Sequence, residues 1–292
     1  MEVQGQKLYW KSNIVIAIVH CTMTLDREFV ERIEYPENSV LQDLFSDAQQ
    51  TTRDRLSKWG YSEVDDWLVR KMSYTYYYDH TTDDPDYVFL LQDPGGLQQR
   101  HTEELEAIQE LPDEFSRRKL VSLYRQFAKS WLLRRNEDFS ERFFTALDDL
   151  GLISIEPSVE AYLRDGRFFD DFYMTDVVKY RTDGFGKHHE NASVDSFLRE
   201  ELRTIDPDLI FAFGGSAWSA VQEHLGAQPV TDDYVNTSKI TESHGHLCES
   251  TQILETHVLP LSHLSGQIWW RFPPDEYIAR LRDGIQTWQE IA

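Results

Sequence analysis

The sequence predicts an α/β fold of three layers, in which helices cover both faces of a central four-stranded parallel sheet. From residue 87 onward, short apolar runs of strand length alternate with longer segments of helical periodicity, which is typical of such a sheet. Each apolar run also ends in polar or glycine-containing residues that can turn the chain toward a helix. The predicted strands are 87–92, 170–175, 208–213 and 256–261.

Helical segments precede and interrupt this sheet. We expect a helical N-terminal extension over 1–84, followed by the α/β/α domain over 85–292. In the extension, helices are predicted at about 39–59 and 65–72. A helical insertion at about 97–166 separates the first two strands.

The composition is strongly acidic, with 51 Asp and Glu against 29 Lys and Arg and a net charge of −22. Few of the basic residues are lysine, and such a composition suits a salt-rich cytoplasm; the alternative is an ordinary acidic enzyme. No basic leader precedes the apolar run Ile14–Val19, which is too short to span a membrane. We therefore expect a soluble cytoplasmic protein that has no membrane partner and acts as a monomer.

One segment of this acidic chain is strongly basic. Residues 116–135 hold seven basic side chains and no acidic one. On a helix, Leu120 and Tyr124 lie on one apolar stripe, whereas Arg118, Arg125 and Lys129 share the opposite face. This face either pairs with acidic neighbours or contacts phosphates, which supply most of the sequence-independent affinity for DNA.

Polar residues follow all four predicted strands. In an open α/β sheet, ligands bind outside the carboxyl ends of the strands, so these residues are expected to form one site. The free amides of the third strand end could hold a phosphate at the start of a helix. The four strand ends are Asp93-Pro94-Gly95-Gly96, Thr175-Asp176, Gly214-Gly215-Ser216 and Ser262-His263-Leu264-Ser265-Gly266.

The order and spacing of these segments resemble the uracil-DNA glycosylase superfamily over about residues 85–272. Leu91-Gln92-Asp93-Pro94-Gly95 is similar to its first motif, and 172–181 is similar to the motif that ends its second strand. Asp208 to Trp218 resembles its glycine-containing strand-to-helix segment, and 262–266 resembles its closing His-Pro-Ser motif.

The resemblance implies an enzyme that flips a base out of single- or double-stranded DNA and cleaves it from its sugar. Asp93 and His263 would be the catalytic pair: Asp93 orients water or stabilises the cationic sugar, and His263 donates to O2 of the departing pyrimidine. Gln92, Gly95 and Asp176 would contact the base. Contacts to the DNA backbone are implied for Gly214, Ser216, Ser262, Ser265, Gly266, Lys179 and Arg181, together with Arg118, Arg125 and Lys129, and His188 and His189 could engage phosphates.

Three departures from the family pattern matter. Asp176 stands where many relatives carry asparagine, and an ionised carboxylate cannot donate to O4 of uracil. Either Asp176 is protonated, or the preferred base carries an amino group, or base cleavage has been lost. Leu264 replaces the proline of the closing motif. The cluster-binding cysteines of some branches are absent, because the only cysteines are Cys21 and Cys248, so we expect no metal or organic cofactor.

Several alternatives stay open. His244, His246, Cys248 and His257 lie close enough in sequence to suggest a zinc site, but without a paired carboxylate or a Cys-x-x-Cys motif a short polar strand is the preferred interpretation. The function could also be that of a non-catalytic nucleic-acid or nucleotide-binding module that kept the fold. A third candidate is a hydrolase or transferase acting on free nucleosides, which would need no basic surface.

Overall fold

The computed structural model describes residues 27–61, 63–75, 85–95, 121–122, 124–126, 128–129, 132–133, 137–231, 237–253, 256–263 and 272–292. Ser265, Gly266, Leu264 and Arg118 therefore lie outside the described residues. None of the helices in these stretches has both the length and the apolar composition needed to cross a membrane.

The described elements alternate along the chain as the sequence pattern predicts. The strands are β1 (Tyr87–Leu91), β2 (Phe172–Asp176), β3 (Leu209–Phe213), β4 (Gln228–Pro229), β5 (Cys248–Glu249) and β6 (His257–Leu261). The helices are α1 (Arg27–Glu34), α2 (Ser39–Lys58), α3 (Asp66–Met72), α4 (Glu137–Asp149), α5 (Val159–Asp165), α6 (Phe168–Asp171), α7 (Lys187–Ser193), α8 (Arg199–Ile205), α9 (Gly215–Leu225), α10 (Ile240–Ser243) and α11 (Pro274–Ile291). A π-helical turn, Val194–Leu198, joins α7 to α8, and the described residues between 121 and 133 are also helical.

The central sheet has the strand order β2-β1-β3-β6-β5-β4. The first four strands run parallel, which confirms the predicted parallel sheet. The prediction of four strands in total is wrong, because the two-residue strands β4 and β5 extend the β6 edge in antiparallel fashion. Strands this short carry no periodic signal. The second strand also begins two residues later than predicted, because α6 occupies Phe168–Asp171.

Helices cover both faces of the sheet and complete the three layers. On one face, the Phe89 ring stacks on Phe213 at 4.1 Å between centroids and meets Phe143 of α4 edge to face. Trp288 of α11 packs against Tyr87 on the same face. On the opposite face, Tyr173 of β2 donates a hydrogen bond to Glu201 of α8. These contacts confirm the predicted α/β/α arrangement.

The N-terminal helices join the same hydrophobic core as the sheet. After α3, residues 73–75 pair in antiparallel fashion with 179–181, just beyond the end of β2. The amide of Thr75 donates to the carbonyl of Lys179 at 2.9 Å, and the amide of Arg181 donates to the carbonyl of Ser73 at 2.9 Å. The extension therefore reaches the edge of the sheet where the strand ends lie. A domain boundary at residue 84 stays a prediction.

Candidate active site

The four parallel strands end at one edge of the sheet. Along this edge the order is Asp176, the last residue of β2, then Asp93, Gly214 and His263, which follow β1, β3 and β6. Neighbouring strands lie about 4.8 Å apart, so the segments that carry Asp93 and His263 are separated by about 10 Å. This places the two expected catalytic residues at the same rim, with the end of β3 between them.

Asp93 lies in a tight turn that holds its carboxylate. The amide of Gly95 donates to Oδ1 of Asp93 at 2.7 Å, and Gly95 adopts a φ of +63°, a left-handed conformation that favours glycine. Arg181 donates to the carbonyls of Pro94 and Gly95 at 3.0 and 3.2 Å. Burial raises the pKa of Asp93, against the lowering effects of the Gly95 amide and the Arg181 charge. A partly buried carboxyl with a raised pKa is typical of functional sites.

Asp176 lies at the neighbouring strand end and is completely buried. Thr75 donates from its hydroxyl to Oδ2 of Asp176 at 2.8 Å. Its Oδ1 is buried without a hydrogen-bond partner among the described residues. Burial raises the pKa of Asp176 to about 7, Lys179 and Thr75 oppose this shift, and the negative charge of Asp93 adds to it. The Asp176 carboxyl therefore holds its proton up to near neutral pH.

Backbone hydrogen bonds fix these two strand ends to each other. The amide of Val177 donates to the carbonyl of Leu91 at 2.9 Å, and the amide of Val178 donates to the carbonyl of Gln92 at 3.0 Å. The Gln92 carbonyl is thus occupied. A base contact by the Gln92 amide, and one by Gly95, stay predictions.

Gly214 brings the end of β3 close to His263. It adopts a φ of +90° with a ψ of 165°, a conformation essentially restricted to glycine. A Cβ atom at this position would meet Cβ and Cδ2 of His263 at 3.5 Å. The amide of Gly214 donates to the carbonyl of Leu261 at 2.7 Å, so it is not available to a phosphate as the sequence suggested. Ser216, in the first turn of α9, is partly exposed, and its phosphate contact stays a prediction.

The backbone next to His263 is fixed by hydrogen bonds that involve the buried side chain of His244. The amide of Ser262 donates to Nδ1 of His244 at 3.1 Å, so Nε2 carries the proton and donates to the carbonyl of Tyr277 at 3.1 Å. The Tyr277 hydroxyl donates to the carbonyl of Ser262 at 3.0 Å. Burial lowers the pKa of His244 to about 4, which keeps its ring neutral. His263 itself is exposed at the rim.

This arrangement corrects two expectations. Both nitrogens of His244 are engaged in hydrogen bonds, so the ring cannot serve as the zinc ligand of the alternative interpretation. Within the described part of the chain, no group of three or more His, Cys, Asp or Glu side chains is arranged to hold a metal ion. Ser262 is completely buried, so the expected grip of its side chain on the DNA backbone does not fit this geometry.

A family model supplies the decisive comparison. The model of the uracil DNA glycosylase superfamily matches residues 79–283, well over half of the chain. The chain belongs to the uracil-DNA glycosylase superfamily. No curated protein matches the chain. Membership supports a glycosylase-type function in general, and the matched region includes all four strand ends of the candidate site while leaving α1, α2 and α3 outside it.

Two residues expected to contact DNA in this superfamily member have other contacts. Lys179 forms an ion pair with Glu201, and the two side chains are each only 2 % exposed. Its ammonium is therefore directed to the core, next to Asp176, and not to solvent. Arg181 is also buried, and its guanidinium binds the carbonyls of the Asp93 turn. The expected phosphate contacts of Lys179 and Arg181 do not fit this geometry; both residues instead support the two carboxyl groups.

The basic helix of this glycosylase-family chain is only partly described. Tyr124 is completely buried, as its predicted apolar stripe requires. Arg125 lies over the ring of Phe169 at 5.2 Å and is partly exposed, as is Lys129. Both side chains keep access to solvent. Contacts of Arg125 and Lys129 with DNA stay predictions.

The two adjacent histidines lie at the start of α7. The amide of Gly186 donates to Nδ1 of His189 at 3.1 Å, and the rings of His188 and His189 are 3.8 Å apart between centroids. Burial and the neighbouring His188 lower the pKa of His189. His188 is exposed, and its contact with a phosphate stays a prediction.

Sequence reasoning missed Thr75, Tyr277 and Glu201, and it considered His244 only as a zinc ligand. Each acts on a site residue from 15 or more positions away in sequence. No local pattern reveals these supporting roles, because they depend on contacts made only in the folded chain.

Proposed function

We propose that this protein is a DNA glycosylase that hydrolyses the N-glycosidic bond of uracil or another deaminated base in DNA. The observation that carries the proposal is the pair of carboxyl groups, Asp93 and Asp176, at adjacent strand ends of a chain in this superfamily. Their surroundings give them different protonation behaviour, which is how two carboxyl groups in one site take different roles.

Asp93 is the group we assign to the sugar side of the reaction. As the bond between C1′ and the base nitrogen breaks, its electron pair leaves with the base and positive charge develops on the sugar. A fixed carboxylate stabilises that charge and orients the water whose oxygen bonds to C1′. The water proton then passes to the Asp93 carboxylate, whose raised pKa makes it a better base than an exposed aspartate.

His263 is the group we assign to the base side. It lies at the same rim two strands away, with about 10 Å between the two backbone segments that carry Asp93 and His263. A hydrogen bond from the imidazole to O2 of the pyrimidine stabilises the negative charge that the base acquires as it departs. His244 and Tyr277 hold the backbone next to His263 and so fix its approach.

Among the three explanations that the identity of Asp176 raises, its raised pKa favours the first, a protonated side chain. Since its pKa is raised to about 7, the carboxyl is protonated over the slightly acidic range and its O–H can donate to O4 of uracil. The site then reads uracil as an asparagine would, once the protein atoms that cover the buried carboxyl move aside to admit the base. When Asp176 ionises above neutral pH, it loses this donor and favours an amino group instead. We therefore infer that uracil release falls as the pH rises through about 7.

We assign the DNA contacts to Arg125 and Lys129, two partly exposed basic residues among the described helical residues between 121 and 133. The net charge of −22 repels a polyanion at low ionic strength, so a local concentration of positive charge is needed. The acidic composition also leads us to propose that the protein works in a salt-rich cytoplasm.

The complete burial of Asp176 favours one second candidate, a non-catalytic binding module, because a base must displace protein atoms to reach this carboxyl. A base-release assay separates the candidates. Oligonucleotides with a single uracil, single-stranded or paired with guanine or adenine, are incubated with protein at pH 6, at low and at molar salt, and free base is quantified by chromatography.

We expect release of free uracil from at least one oligonucleotide and none from uridine. Binding to DNA without release at any salt concentration would support the non-catalytic module. Release from free uridine alone would support the nucleoside hydrolase and refute the assignment to DNA.

A further inference from the structure

A residue from outside the superfamily region contacts the candidate base site. Thr75 precedes the matched residues 79–283 and follows α3 of the N-terminal helices. Its backbone pairs with Lys179, three residues beyond Asp176. The pairing brings the Thr75 side chain to the end of β2, where its hydroxyl meets the Asp176 carboxyl at 2.8 Å.

The contact is made between two groups that are both shielded from water. Thr75 is 2 % exposed and Asp176 is 0 % exposed. Hydrogen bonds in such an environment are stronger than in water, and a buried polar atom without a partner is unfavourable. Oδ2 of Asp176 is satisfied by Thr75, whereas Oδ1 has no hydrogen-bond partner within the described residues.

The helices that deliver Thr75 are themselves fixed to the domain. Tyr74 is completely buried, and its hydroxyl donates to the Glu34 carboxylate, which also pairs with Lys71. The hydroxyl of Tyr180 donates to the carbonyl of Ile33 at 3.0 Å. The position of Thr75 is therefore set by packing of the extension against the sheet and not by a loose loop.

We propose that Thr75 is a specificity-determining positioning residue, through which the N-terminal helices bind one oxygen of Asp176 and leave only the other oxygen of the same carboxyl to read the base. The inference rests on the proposed function and deepens it. It assigns to the N-terminal helices a part in base recognition, since the family domain alone supplies Asp176 but not the group that orients it.

The hydroxyl of Thr75 has a direct effect on the proton of Asp176. A donor to a carboxylate stabilises the charged form, and the Thr75 hydrogen bond lowers the pKa of Asp176 against the effect of burial. Removing the hydroxyl must therefore extend the protonated form to higher pH. A purely structural role of Thr75 in packing would produce no such directed shift.

The test compares Thr75→Val, which keeps the shape but removes the hydroxyl, with Thr75→Ser, which keeps the hydroxyl. Thr52→Val is the matched control, because Thr52 is also buried in the extension and hydrogen bonds with Ser73 and not with Asp176. The carboxyl carbon of Asp176 is titrated by NMR in protein labelled with 13C-aspartate, and Asp176→Asn identifies the resonance. The pH dependence of uracil release is measured on the same variants.

We expect Thr75→Val to move the Asp176 midpoint upward by about one pH unit, the scale of a hydrogen bond to a charged group. The fall of uracil release at alkaline pH should move with it, while Thr75→Ser and Thr52→Val stay within a few tenths of a unit of the wild type. Should Thr75→Val fail to fold, Thr75→Ala removes the same hydroxyl with less crowding and carries the same expectation.

An unchanged midpoint in a folded variant without the hydroxyl, or an equal shift in Thr52→Val, would overturn the inference. The titration needs no catalysis, so the two proposals fail separately. A shifted midpoint in a protein that releases no base from any DNA would refute the glycosylase and leave the contact of Thr75 with Asp176 established. If Thr75→Val releases base and its activity falls at the same alkaline pH as that of the wild type, the role of Thr75 is refuted and the glycosylase proposal stands.

Discussion

Replacing Asp176 by asparagine is expected to stabilise the protein, and to do so more strongly at alkaline pH. Burial raises the pKa of Asp176 to about 7 from an ordinary 3.8. Between these values the unfolded chain is ionised at this position while the native protein keeps the proton, so native stability falls as the pH rises. At 1.36 kcal/mol for each pH unit, the shift destabilises the native state by about 4 kcal/mol above pH 7.

Asparagine has nearly the same shape and still accepts the Thr75 hydrogen bond, but it cannot ionise. Relative to the wild type, the free energy of unfolding of Asp176→Asn should therefore rise with pH, by about 3 kcal/mol between pH 5 and pH 8. Urea unfolding at these two pH values, followed by tryptophan fluorescence at constant salt, measures it. Asp165→Asn, at an exposed position in α5, is the control and should give a difference that does not grow with pH. A pH-independent difference for Asp176→Asn would refute the account of this carboxyl.

Two further predictions concern the support of His263 and the approach of DNA. His244→Phe removes both hydrogen bonds of the buried ring; we expect a loss of stability of about 1–3 kcal/mol in urea unfolding, and a fall in kcat that exceeds any change in KM because His263 is misplaced. An unchanged kcat would show that the His244 network does not position His263. Arg125→Glu combined with Lys129→Glu should weaken binding to a uracil-containing duplex tenfold or more at low salt and flatten its salt dependence, as fluorescence anisotropy would report. Affinity equal to the wild type at every salt concentration would show that these basic residues do not contact DNA and only pair with acidic neighbours.

The parallel sheet could be predicted because its signal is local. Each strand is a short apolar run that ends at a polar or glycine residue. The parallel order of the strands brings those ends to one edge of the sheet whatever the details of packing. This was enough to bring the segments of Asp93, Asp176, Gly214 and His263 together. The antiparallel strand β4 escaped prediction because two residues show no alternation, whereas β5 lies in the segment for which the sequence favours a short polar strand over a zinc site.

The contacts of individual polar side chains could not be predicted in the same way. Lys179 reads as an available cation in sequence, yet it faces Glu201 across the interior because the helix after β2 packs on that face of the sheet. Ser262 reads as a phosphate ligand in its motif, yet the turn buries it against His244. Both outcomes depend on tertiary packing between distant segments, which no residue spacing specifies.

The most direct test of the central claim is a single-turnover comparison of the wild type with Asp93→Asn on one oligonucleotide that contains a single uracil. Asparagine fits the same turn and can accept the hydrogen bond from Gly95, so folding and DNA affinity should be retained. We expect the wild type to release free uracil and Asp93→Asn to lose at least a hundredfold in rate at equal binding, since the charge opposite the cationic sugar is gone. Equal rates for the two proteins would contradict the account.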